Sequence, residues 1–369
     1  MSLKPDIIHL LARARGDLAM GLPVVLSGAE GGALIAAAET IEAPRLAALT
    51  DLARSAGAEL TLAVTARRAE TLKARAYDGD LARILVPEGA ALTWIRATAS
   101  PEGDLAHPMK GPFRTARGGD TRLHRLALTL AKAARLLPAA LVLPLPDADA
   151  VAEGRAAGLT ILPAEAAEAA MRLASPPHGV VSARVPLAAS HAGRVHVFRP
   201  EDGSEEHYAI EIGAPPRNAP VLARLHSACF TGDVLGSLKC DCGPQLHAAL
   251  EQMGAEGAGV LLYLNQEGRG IGLANKMRAY SLQDQGFDTV EANHRLGFED
   301  DERDFRIGAG ILRKMGFGAV RLLTNNPAKI DMMRRCGIEV AERVPLIVGE
   351  TAQNRHYLAT KARKSGHLF

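Results

Sequence analysis

The chain has 369 residues, of which 47% are hydrophobic and 23% are charged, a balance typical of a globular protein large enough for two domains. Its formal net charge of +2 lacks the basic excess of nucleic-acid-binding proteins, although a local patch can still bind phosphate. We therefore expect no nucleic-acid partner.

The start of the chain lacks the features of a targeting segment. Its apolar run, IIHLLARARGD at residues 7–17, is interrupted by arginine too early for a signal peptide or a membrane span. We therefore expect a cytoplasmic protein with no membrane partner. Four cysteines in so long a cytoplasmic chain do not fit a disulfide framework.

Residues 1–150 alternate between strand-like and helix-like segments, which favours helices layered on a sheet and predicts a first α/β domain. Proline and glycine mark a connector over residues 151–179, around one further helix at about residues 163–174. The predicted strands are PVVLSG (23–28), ELTLAVT (59–65) and AALVLPL (139–145), and the predicted helices are APRLAALTDLARSAG (43–57) and LHRLALTLAKAARLL (123–137).

Residues 180–369 repeat a strand–loop–helix plan and form a second predicted domain. Polar and charged residues are concentrated in the loops after the strands, where α/β sheets bind ligands. The fold class is therefore α/β with mixed α+β layers, in two domains that are each a sheet with packed helices. The predicted elements are strand VLARLHS (221–227), helix PQLHAALEQMGAEG (244–257), strand AGVLLYLNQ (258–266), loop and helix EGRGIGLANKMRAYSLQDQG (267–286), strand, loop and helix AVRLLTNNPAKIDMMRRCGIEV (319–340), and a short strand VPLIVGE (344–350).

Three of the four cysteines lie close together in CFTGDVLGSLKCDCG. Cys240 and Cys242 can bind one ion from a tight turn, and Cys229 can add a third thiolate from the end of a strand. Such sulfur ligands favour zinc. Three ligands leave a position for water, as in a catalytic site, whereas His226 or His247 would close a structural site. Ordinary buried or redox-active thiols are the third alternative.

The loop NQEGRGIG places Glu267, Gly268 and Arg269 between a strand and a helix. Glycine lets the backbone approach an anion, the start of a helix offers unpaired N–H groups, and a guanidinium can bind phosphate through two hydrogen bonds. A plain tight turn is the alternative reading of this loop.

The segment LLTNNPAKI has the same architecture. Asn326 is expected to cap a helix that begins at Pro327, with Thr324 and Lys329 close to its start. An ordinary capped helix explains this segment taken alone. Two such loops beside a candidate metal site favour a nucleotide or polyphosphate substrate.

Acid and base candidates lie in YSLQDQGFDTVEANHRLGFEDDERDFRIG, which contains Tyr280, Thr289, Asp301 and Arg303. An aspartate beside an arginine stays ionised and can accept a proton from a metal-bound water. The charged run EDDERD is otherwise the solvated start of a helix.

From about residue 180 onward the chain closely resembles the GTP cyclohydrolase II family, whose enzyme opens riboflavin biosynthesis. The segments that carry the resemblance are RLHSACFTGDVLGSLKCDCGPQL, YLNQEGRGIGLANKMRAYSLQDQG, DTVEANHRLGF with EDDERDF, RLLTNNPAKI, and ERVPLIVG with HYLATKARKSGHL.

This resemblance implies a catalytic zinc, one per subunit, on Cys229, Cys240 and Cys242. It also implies Mg²⁺ as a second metal and a homodimer. The family commonly has glutamate directly before the first cysteine, where this chain has Ala228. That departure affects a polar contact beside the zinc but none of its ligands.

The resemblance also implies roles for residues that contact GTP or take part in its hydrolysis. Asp301 corresponds to the proton acceptor, Arg303 to a proposed nucleophile and Tyr280 to the active-site tyrosine. The residues implied to contact GTP are Arg224, Leu225, His226, Ser227, Gln245, Glu267, Gly268, Arg269, Thr289, Thr324 and Lys329.

The reaction implied is hydrolysis of GTP to 2,5-diamino-6-ribosylamino-pyrimidinone phosphate, formate and pyrophosphate. Water must attack the imidazole carbon of guanine twice, and zinc can activate that water. Arg269 and Lys329 are expected to support pyrophosphate release. Because a guanidinium stays protonated and is a poor nucleophile, we expect Arg303 to stabilise charge at the α-phosphate.

The first half resembles a degenerate dihydroxybutanone phosphate synthase, the usual fusion partner of this enzyme. The resemblance lies in GLPVVLSGAEGGALIAAAETI and in HPMKGPFRTARGGDTRLHRLALTLAKAARLLPAALV. Its expected acidic loop retains only Glu30, and GGDTRLH lacks the Gly-His-Thr-Glu order. Without clustered carboxylates there is no Mg²⁺ site, so we expect an inactive structural or assembly domain. The alternatives are a bifunctional enzyme that also makes dihydroxybutanone phosphate, and a catalytically silent regulator that binds zinc and nucleotide.

Overall fold

The computed structural model describes residues 3–106, 108–173, 177–351 and 354. Parts of the segments that carry the family resemblances, namely residue 107 and residues 356–368, lie outside the described residues.

The first part of the chain alternates between short strands and helices. Its elements are α1 (Ile7–Ala19), β1 (Val24–Ser27), β2 (Gly32–Ala37), α2 (Ala43–Ala56), β3 (Thr61–Thr65), α3 (Ala66–Leu72), β4 (Leu81–Leu85), α4 (Leu92–Ala99), α5 (Arg122–Ala133), β5 (Ala139–Leu145), α6 (Asp147–Ala156), β6 (Ile161–Pro163) and α7 (Ala164–Arg172).

The second part continues with strands, helices, a π-helical turn at Phe230–Val234 and a tight turn at Glu267–Gly270. Its other elements are β7 (His178–Arg184), β8 (Gly193–Arg199), β9 (His207–Ile212), β10 (Val221–Ser227), α8 (Cys242–Glu256), β11 (Gly259–Leu264), α9 (Leu273–Asp284), α10 (Thr289–Leu296), α11 (Arg306–Lys314), β12 (Ala319–Leu323), α12 (Pro327–Arg335) and β13 (Glu339–Val344).

These elements form two compact units. Unit 1 comprises Met1–Leu173 and Ala274–Glu302, and unit 2 comprises Ala174–Leu273 and Arg303–Phe369. The mixed α/β fold class predicted from the sequence is confirmed, because each unit contains one sheet with packed helices. The domain limits predicted above (1–150, 151–179 and 180–369) stay a prediction.

Unit 1 is built on a six-stranded sheet in the order β4-β3-β5-β2-β1-β6. Its pairs are antiparallel except β1 with β6, which are parallel. The strands β2 and β5 are almost wholly buried because they lie in the middle of the sheet. Apolar faces of α1, α5 and α7 cover one face of it and form the core.

The segment Ala274–Glu302 belongs to unit 1 through specific polar contacts. Thr65 Oγ1 donates a hydrogen bond to the carbonyl of Gly297, which ends α10. The guanidinium of Arg278 donates to Glu39 Oε1 over 2.7 Å, and both side chains are about four-fifths buried. These contacts join residues more than 200 positions apart and fix the segment to the first part of the chain.

Unit 2 is built on a seven-stranded sheet in the order β13-β12-β10-β11-β9-β8-β7. The four strands β13, β12, β10 and β11 are parallel to one another, and the remaining three are antiparallel. The carboxyl ends of the parallel strands therefore meet at one edge of the sheet, where α/β sheets bind ligands.

Alternating residues of β10 point to two different cores. Val221, Ala223 and Leu225 pack with α11 and α12, whereas Leu222 packs with α8 on the opposite face. The even positions Arg224 and His226 therefore lie on the face that α8 covers.

The strand predicted over residues 344–350 is wrong. The observed strand is β13, which ends at Val344, and no regular structure follows it as far as residue 351. Pro345 lacks the N–H group that a continuing strand would need for its ladder.

Within the described ranges, none of the helices combines the length and apolar composition that a membrane crossing requires.

We predict that Gly297→Ala destabilises unit 1 more than Gly286→Ala does. Both glycines have positive φ (+92° and +99°), so each alanine costs about 1 to 2 kcal/mol in backbone strain. A Cβ at Gly297 would also lie 2.8 Å from Thr65 Oγ1 and 2.9 Å from Pro138, whereas Gly286 faces open space. The steric contact should add about 1 to 3 kcal/mol, measured by urea unfolding. Equal losses in the two variants would contradict this packing.

Candidate metal centre and substrate site

The three clustered cysteines converge at the carboxyl end of β10. Cys229 follows this strand by two residues, and Cys242 is the first residue of α8. The sulfur atoms of Cys229, Cys240 and Cys242 all lie within 4.8 Å of one another. All four cysteines of the chain are reduced thiols, so no disulfide uses these sulfurs.

The spacing of the sulfurs fits a zinc ion. Cys229 and Cys240 have their sulfurs 3.7 Å apart, close to the separation of about 3.8 Å that tetrahedral zinc with 2.3 Å bonds requires. A hydrogen bond with the Cys229 thiol raises the pKa of the Cys240 thiol, and burial adds to this effect. A bound cation reverses this tendency because it favours the thiolate.

Two histidines were candidates to close the metal site with a fourth ligand. Among the described residues, neither His226 nor His247 belongs to the group of ligand atoms around the cysteines. His226 Nε2 instead lies 3.0 and 3.1 Å from the two oxygens of Asp233. This arrangement favours the alternative with three protein ligands.

Gly232 lies directly against the sulfurs. A Cβ at this position would be 2.7 Å from the Cys240 sulfur and 3.0 Å from both the Cys229 sulfur and the Cys242 Cβ. A Cβ on Gly243 would in turn be 2.3 Å from the carbonyl of Gly232. The turn between the first two cysteines therefore packs backbone, rather than side chains, against the candidate metal site.

Asp233 is the centre of a buried polar cluster beside Cys229. Its carboxylate accepts hydrogen bonds from the Cys229 N–H (2.9 Å), from the Tyr263 hydroxyl (3.0 Å) and from the His226 ring. The side chains of Asp233 and His226 are each only 3% exposed. The His226 ring stacks on Tyr263 with centroids 5.5 Å apart.

Burial sets the protonation of this cluster. It lowers the pKa of His226, against the raising effect of the hydrogen bond to Asp233. It raises the pKa of Tyr263, and the neighbouring Asp233 charge adds to that shift. The tyrosine therefore stays protonated and donates to the carboxylate.

Arg224 reaches the residues between the cysteines through Gln245. Its guanidinium donates to Gln245 Oε1 and to the carbonyl of Leu323, and Gln245 Nε2 donates to Asp241 over 2.5 Å. Burial lowers the pKa of Arg224 to about 10, so the group remains a cation at neutral pH. Its Nε atom is buried without a hydrogen-bond partner.

The loop after β11 contacts the start of the metal-binding turn. Glu267 accepts hydrogen bonds from the N–H of Phe230 (2.6 Å) and from that of Gly268 (2.9 Å). Gly268 and Arg269 both have left-handed backbone, with φ of +63° and +61°. This conformation is strained for arginine, and such strain is concentrated at functional sites.

Two predicted cations lie beside Phe305. The Arg303 guanidinium is 4.8 Å from the centre of the Phe305 ring and donates to Ser227 Oγ. The Lys329 ammonium is 5.5 Å from the same ring and donates to the carbonyl of Leu225. The structure thus brings together Leu225, Ser227, Arg303 and Lys329.

The predicted cap of α12 is confirmed. Asn326 Oδ1 accepts from the N–H of Ala328, and the helix begins at Pro327. Thr324 is buried directly before this cap, and its hydroxyl accepts a hydrogen bond from the N–H of Asn326.

Three predicted site residues belong to unit 1. Tyr280 has the Lys276 ammonium 5.7 Å from its ring centre, and Thr289 Oγ1 accepts a hydrogen bond from Gln283. Asp301 is exposed near the end of the segment. The roles assigned to these three residues stay predictions.

Sequence reasoning missed Asp233, Tyr263 and Gln266. Asp233 lies four residues after Cys229, a spacing that one helical turn brings together, and this was an available signal. Tyr263 pairs in register with His226, which no local pattern reveals. Gln266 is buried, donates to the carbonyl of Asp304 and leaves its own oxygen without a partner.

Residues 178–345 match the family model described as GTP cyclohydrolase II. Over 364 residues the chain is 45% identical to a GTP cyclohydrolase-2 of Azospirillum brasilense. This alignment covers 97% of this chain and 93% of that protein. Over 164 residues it is 60% identical to a GTP cyclohydrolase-2 of Shigella boydii. This alignment covers 44% of this chain and 84% of that protein.

Solved structures give weaker matches. One is a two-domain 3,4-dihydroxy-2-butanone 4-phosphate synthase from A. baumannii, 19% identical, with a TM-score of 0.33, covering 85% of this chain and 93% of that chain. Another is the corresponding synthase of Candida albicans, 17% identical, with a TM-score of 0.31, covering 43% of this chain and 95% of that chain. At these scores neither match supports a conclusion about this chain.

We predict that Gly232→Ala weakens metal binding at the three cysteines about tenfold or more. The new methyl group would have to displace the Cys240 and Cys229 sulfurs, and small displacements of metal ligands have effects of this size. Gly318→Ala is the control, because a Cβ there meets nothing within 4 Å. The measurement is competition for Zn²⁺ with a chromogenic chelator. Equal affinities in the two variants would show that the turn can accommodate a side chain.

Proposed function

The chain belongs to the GTP cyclohydrolase II family and is a hydrolase of riboflavin biosynthesis, and on that premise we propose that it uses zinc to open the guanine ring of GTP. The proposed products are 2,5-diamino-6-ribosylamino-pyrimidinone phosphate, formate and pyrophosphate. The observation that carries the proposal is the convergence of three thiols, with no fourth ligand in their group among the described residues.

Cys229, Cys240 and Cys242 are the residues that would hold the zinc ion. When bound, zinc supplies Lewis acidity and lowers the pKa of a coordinated water. The nearby cations and hydrogen-bond donors of unit 2 would bind and orient the nucleotide.

Charge at the phosphates would be balanced by basic side chains. Arg303 and Lys329 lie on the same aromatic ring, and both are held by contacts with the end of β10. We propose that Arg303 stabilises charge at the α-phosphate rather than attacking it, because a protonated guanidinium has no available lone pair. Mg²⁺ would share the pyrophosphate charge with Lys329 and Arg269.

The remaining assignments rest on the family resemblance. We propose Asp301 as the proton acceptor, Tyr280 as an active-site donor and Thr289 as a contact to GTP. We also propose a homodimer. A cytoplasmic location is consistent with the reduced thiols, since metal-binding cysteines persist in a reducing compartment.

For the first part of the chain we propose a structural role without synthase activity. Arg122 stands where the synthase pattern Gly-His-Thr-Glu has its glutamate, and it donates to Glu165 (2.6 Å) and Glu168 (2.8 Å). Glu165 also lies 3.4 Å from the N–H of Ala29, beside Glu30 of the expected acidic loop. A guanidinium thus neutralises carboxylates near the place where the synthase needs Mg²⁺.

We predict that Cys240→Ser abolishes formate release from GTP and removes bound zinc. Serine is a much weaker ligand than a thiolate, so the three-sulfur set would be broken. Cys336→Ser is the matched control, since Cys336 packs at the edge of the core on the other face of the sheet. Formate is measured with formate dehydrogenase, in the presence of Zn²⁺ and Mg²⁺. Wild-type turnover by Cys240→Ser would remove zinc from the proposed mechanism.

We predict that the purified chain forms no dihydroxybutanone phosphate from ribulose 5-phosphate and Mg²⁺. Arg122 pairs with Glu165 and Glu168, and among the described residues no group of three acidic side chains is placed to hold a metal ion there. Product formation is followed by coupling to lumazine synthase. Turnover comparable to that of an authentic synthase would establish the bifunctional alternative.

A further inference from the structure

We infer that Asp233 is a positioning residue that holds both the metal ligand Cys229 and the ring of His226, so that Nδ1 of His226 faces the substrate as a hydrogen-bond acceptor. This inference rests on the proposed function for the identity of the substrate, a nucleotide whose purine and ribose carry N–H and O–H donors. It concerns a residue that neither the sequence motifs nor the family resemblance assigned.

The contacts of Asp233 show why it can position two groups at once. Its side chain is 3% exposed, and its carboxylate accepts three donors, the Cys229 N–H, the Tyr263 hydroxyl and the His226 ring. Its own N–H donates to the carbonyl of Cys229 over 2.7 Å. The backbone of Cys229 is therefore bound to Asp233 through both its N–H and its carbonyl, which fixes the main chain that carries the sulfur.

The same carboxylate decides which nitrogen of His226 carries the proton. A carboxylate only accepts hydrogen bonds, so Nε2 must donate to it. A neutral ring then has a lone pair on Nδ1, and that atom is buried without a hydrogen-bond partner. A doubly protonated ring would instead bury a charge together with an unpaired N–H, which costs more.

An unpaired acceptor at this place indicates a ligand. Three of the four buried polar atoms that lack a partner in the described structure belong to Arg224, His226 and Gln266. Arg224 and His226 lie on β10, Arg224 at its middle and His226 near its carboxyl end, and Gln266 follows the carboxyl end of the parallel neighbour β11. Buried polar groups are normally hydrogen-bonded, so a bound nucleotide is the group expected to satisfy them.

Replacing Asp233 by asparagine distinguishes a role in hydrogen bonding from a role in filling space, because asparagine has nearly the same shape as aspartate. Its amide has one acceptor oxygen and one donor nitrogen, and it cannot accept from all three donors. If the amide oxygen keeps the Cys229 N–H, the amide nitrogen faces His226 Nε2. The ring proton would then move to Nδ1, and the acceptor that faces the substrate would become a donor.

The test is Asp233→Asn. The control for loss of one negative charge is Asp331→Asn, because Asp331 is an exposed residue of α12 in the same unit. The tautomer of His226 is read from ¹⁵N chemical shifts of histidine-labelled protein, assigned by comparison with His226→Gln. Metal affinity is read from Co²⁺ titration of the thiolate absorption bands. We expect the His226 proton to move to Nδ1 and Co²⁺ affinity to fall about tenfold or more in Asp233→Asn alone.

Neither readout requires turnover, so both remain decisive if the proposed reaction proves wrong. With active enzyme, we expect the KM for GTP to rise by a larger factor than kcat falls, since a substrate contact is lost. The inference would be overturned if Asp233→Asn left both the His226 tautomer and the Co²⁺ affinity unchanged. A change in only one of them would refute the dual role.

Tyr263→Phe is the second variant, for the case in which Asp233→Asn does not fold. It removes one of three donors and lets the carboxylate move, so Co²⁺ affinity and the KM for GTP should each worsen about two- to fivefold. Tyr208→Phe is its control, since Tyr208 neighbours Tyr263 on the adjacent strand but lies outside the Asp233 cluster. Identical behaviour of the two variants would contradict the inference.

Discussion

The close approach of three thiols is the constraint on which the rest of unit 2 depends. Thiolates within 4.8 Å of one another repel, and only a cation makes their joint ionisation favourable. The chain nevertheless holds the three thiols together through its own contacts. Main-chain contacts hold them. The backbone of Gly232 packs so closely against the sulfurs that no side chain fits at this position, and Asp233 hydrogen-bonds to the main chain of Cys229. The close packing of this turn, together with the three cysteines, sets the geometry of the candidate metal site.

The parallel part of the sheet explains why residues far apart in sequence share one site. Strands β10, β11 and β12 all end at the same edge, and each delivers polar residues there, His226, Glu267 and Thr324 among them. Successive side chains of β10 point to opposite faces of the sheet. Arg224 and His226 face α8, which begins at Cys242, whereas Leu225 packs on the other side. The three cysteines and the buried Arg224 and His226 therefore meet at one edge of the sheet.

Local patterns were sufficient to predict several strands, such as β5, β10 and β11, as well as the cysteine cluster and the cap at Asn326, because each depends on neighbouring residues. The assignment of Ala274–Glu302 to unit 1 was beyond such patterns. It depends on contacts such as Arg278 with Glu39, to which no periodicity points. Asp233 was missed for a related reason, since its importance comes from a buried cluster that includes a residue of the adjacent strand. The strand predicted over residues 344–350 was wrong because the prediction followed the hydrophobic residues of this segment and disregarded Pro345.

Ala228 departs from the family pattern directly before Cys229, and its effect on the main chain follows from how Cys229 is held. The N–H of Ala228 donates to the carbonyl of Leu264 over 2.8 Å, a contact that needs no particular side chain. In the residues that follow Ala228, the N–H of Cys229 donates a hydrogen bond to Asp233, and the N–H of Phe230 donates one to Glu267. Two carboxylates thus fix the main chain around the cysteine whichever residue stands at 228. The substitution therefore leaves the main chain that carries Cys229 in place, and its effect is confined to the lost polar contact.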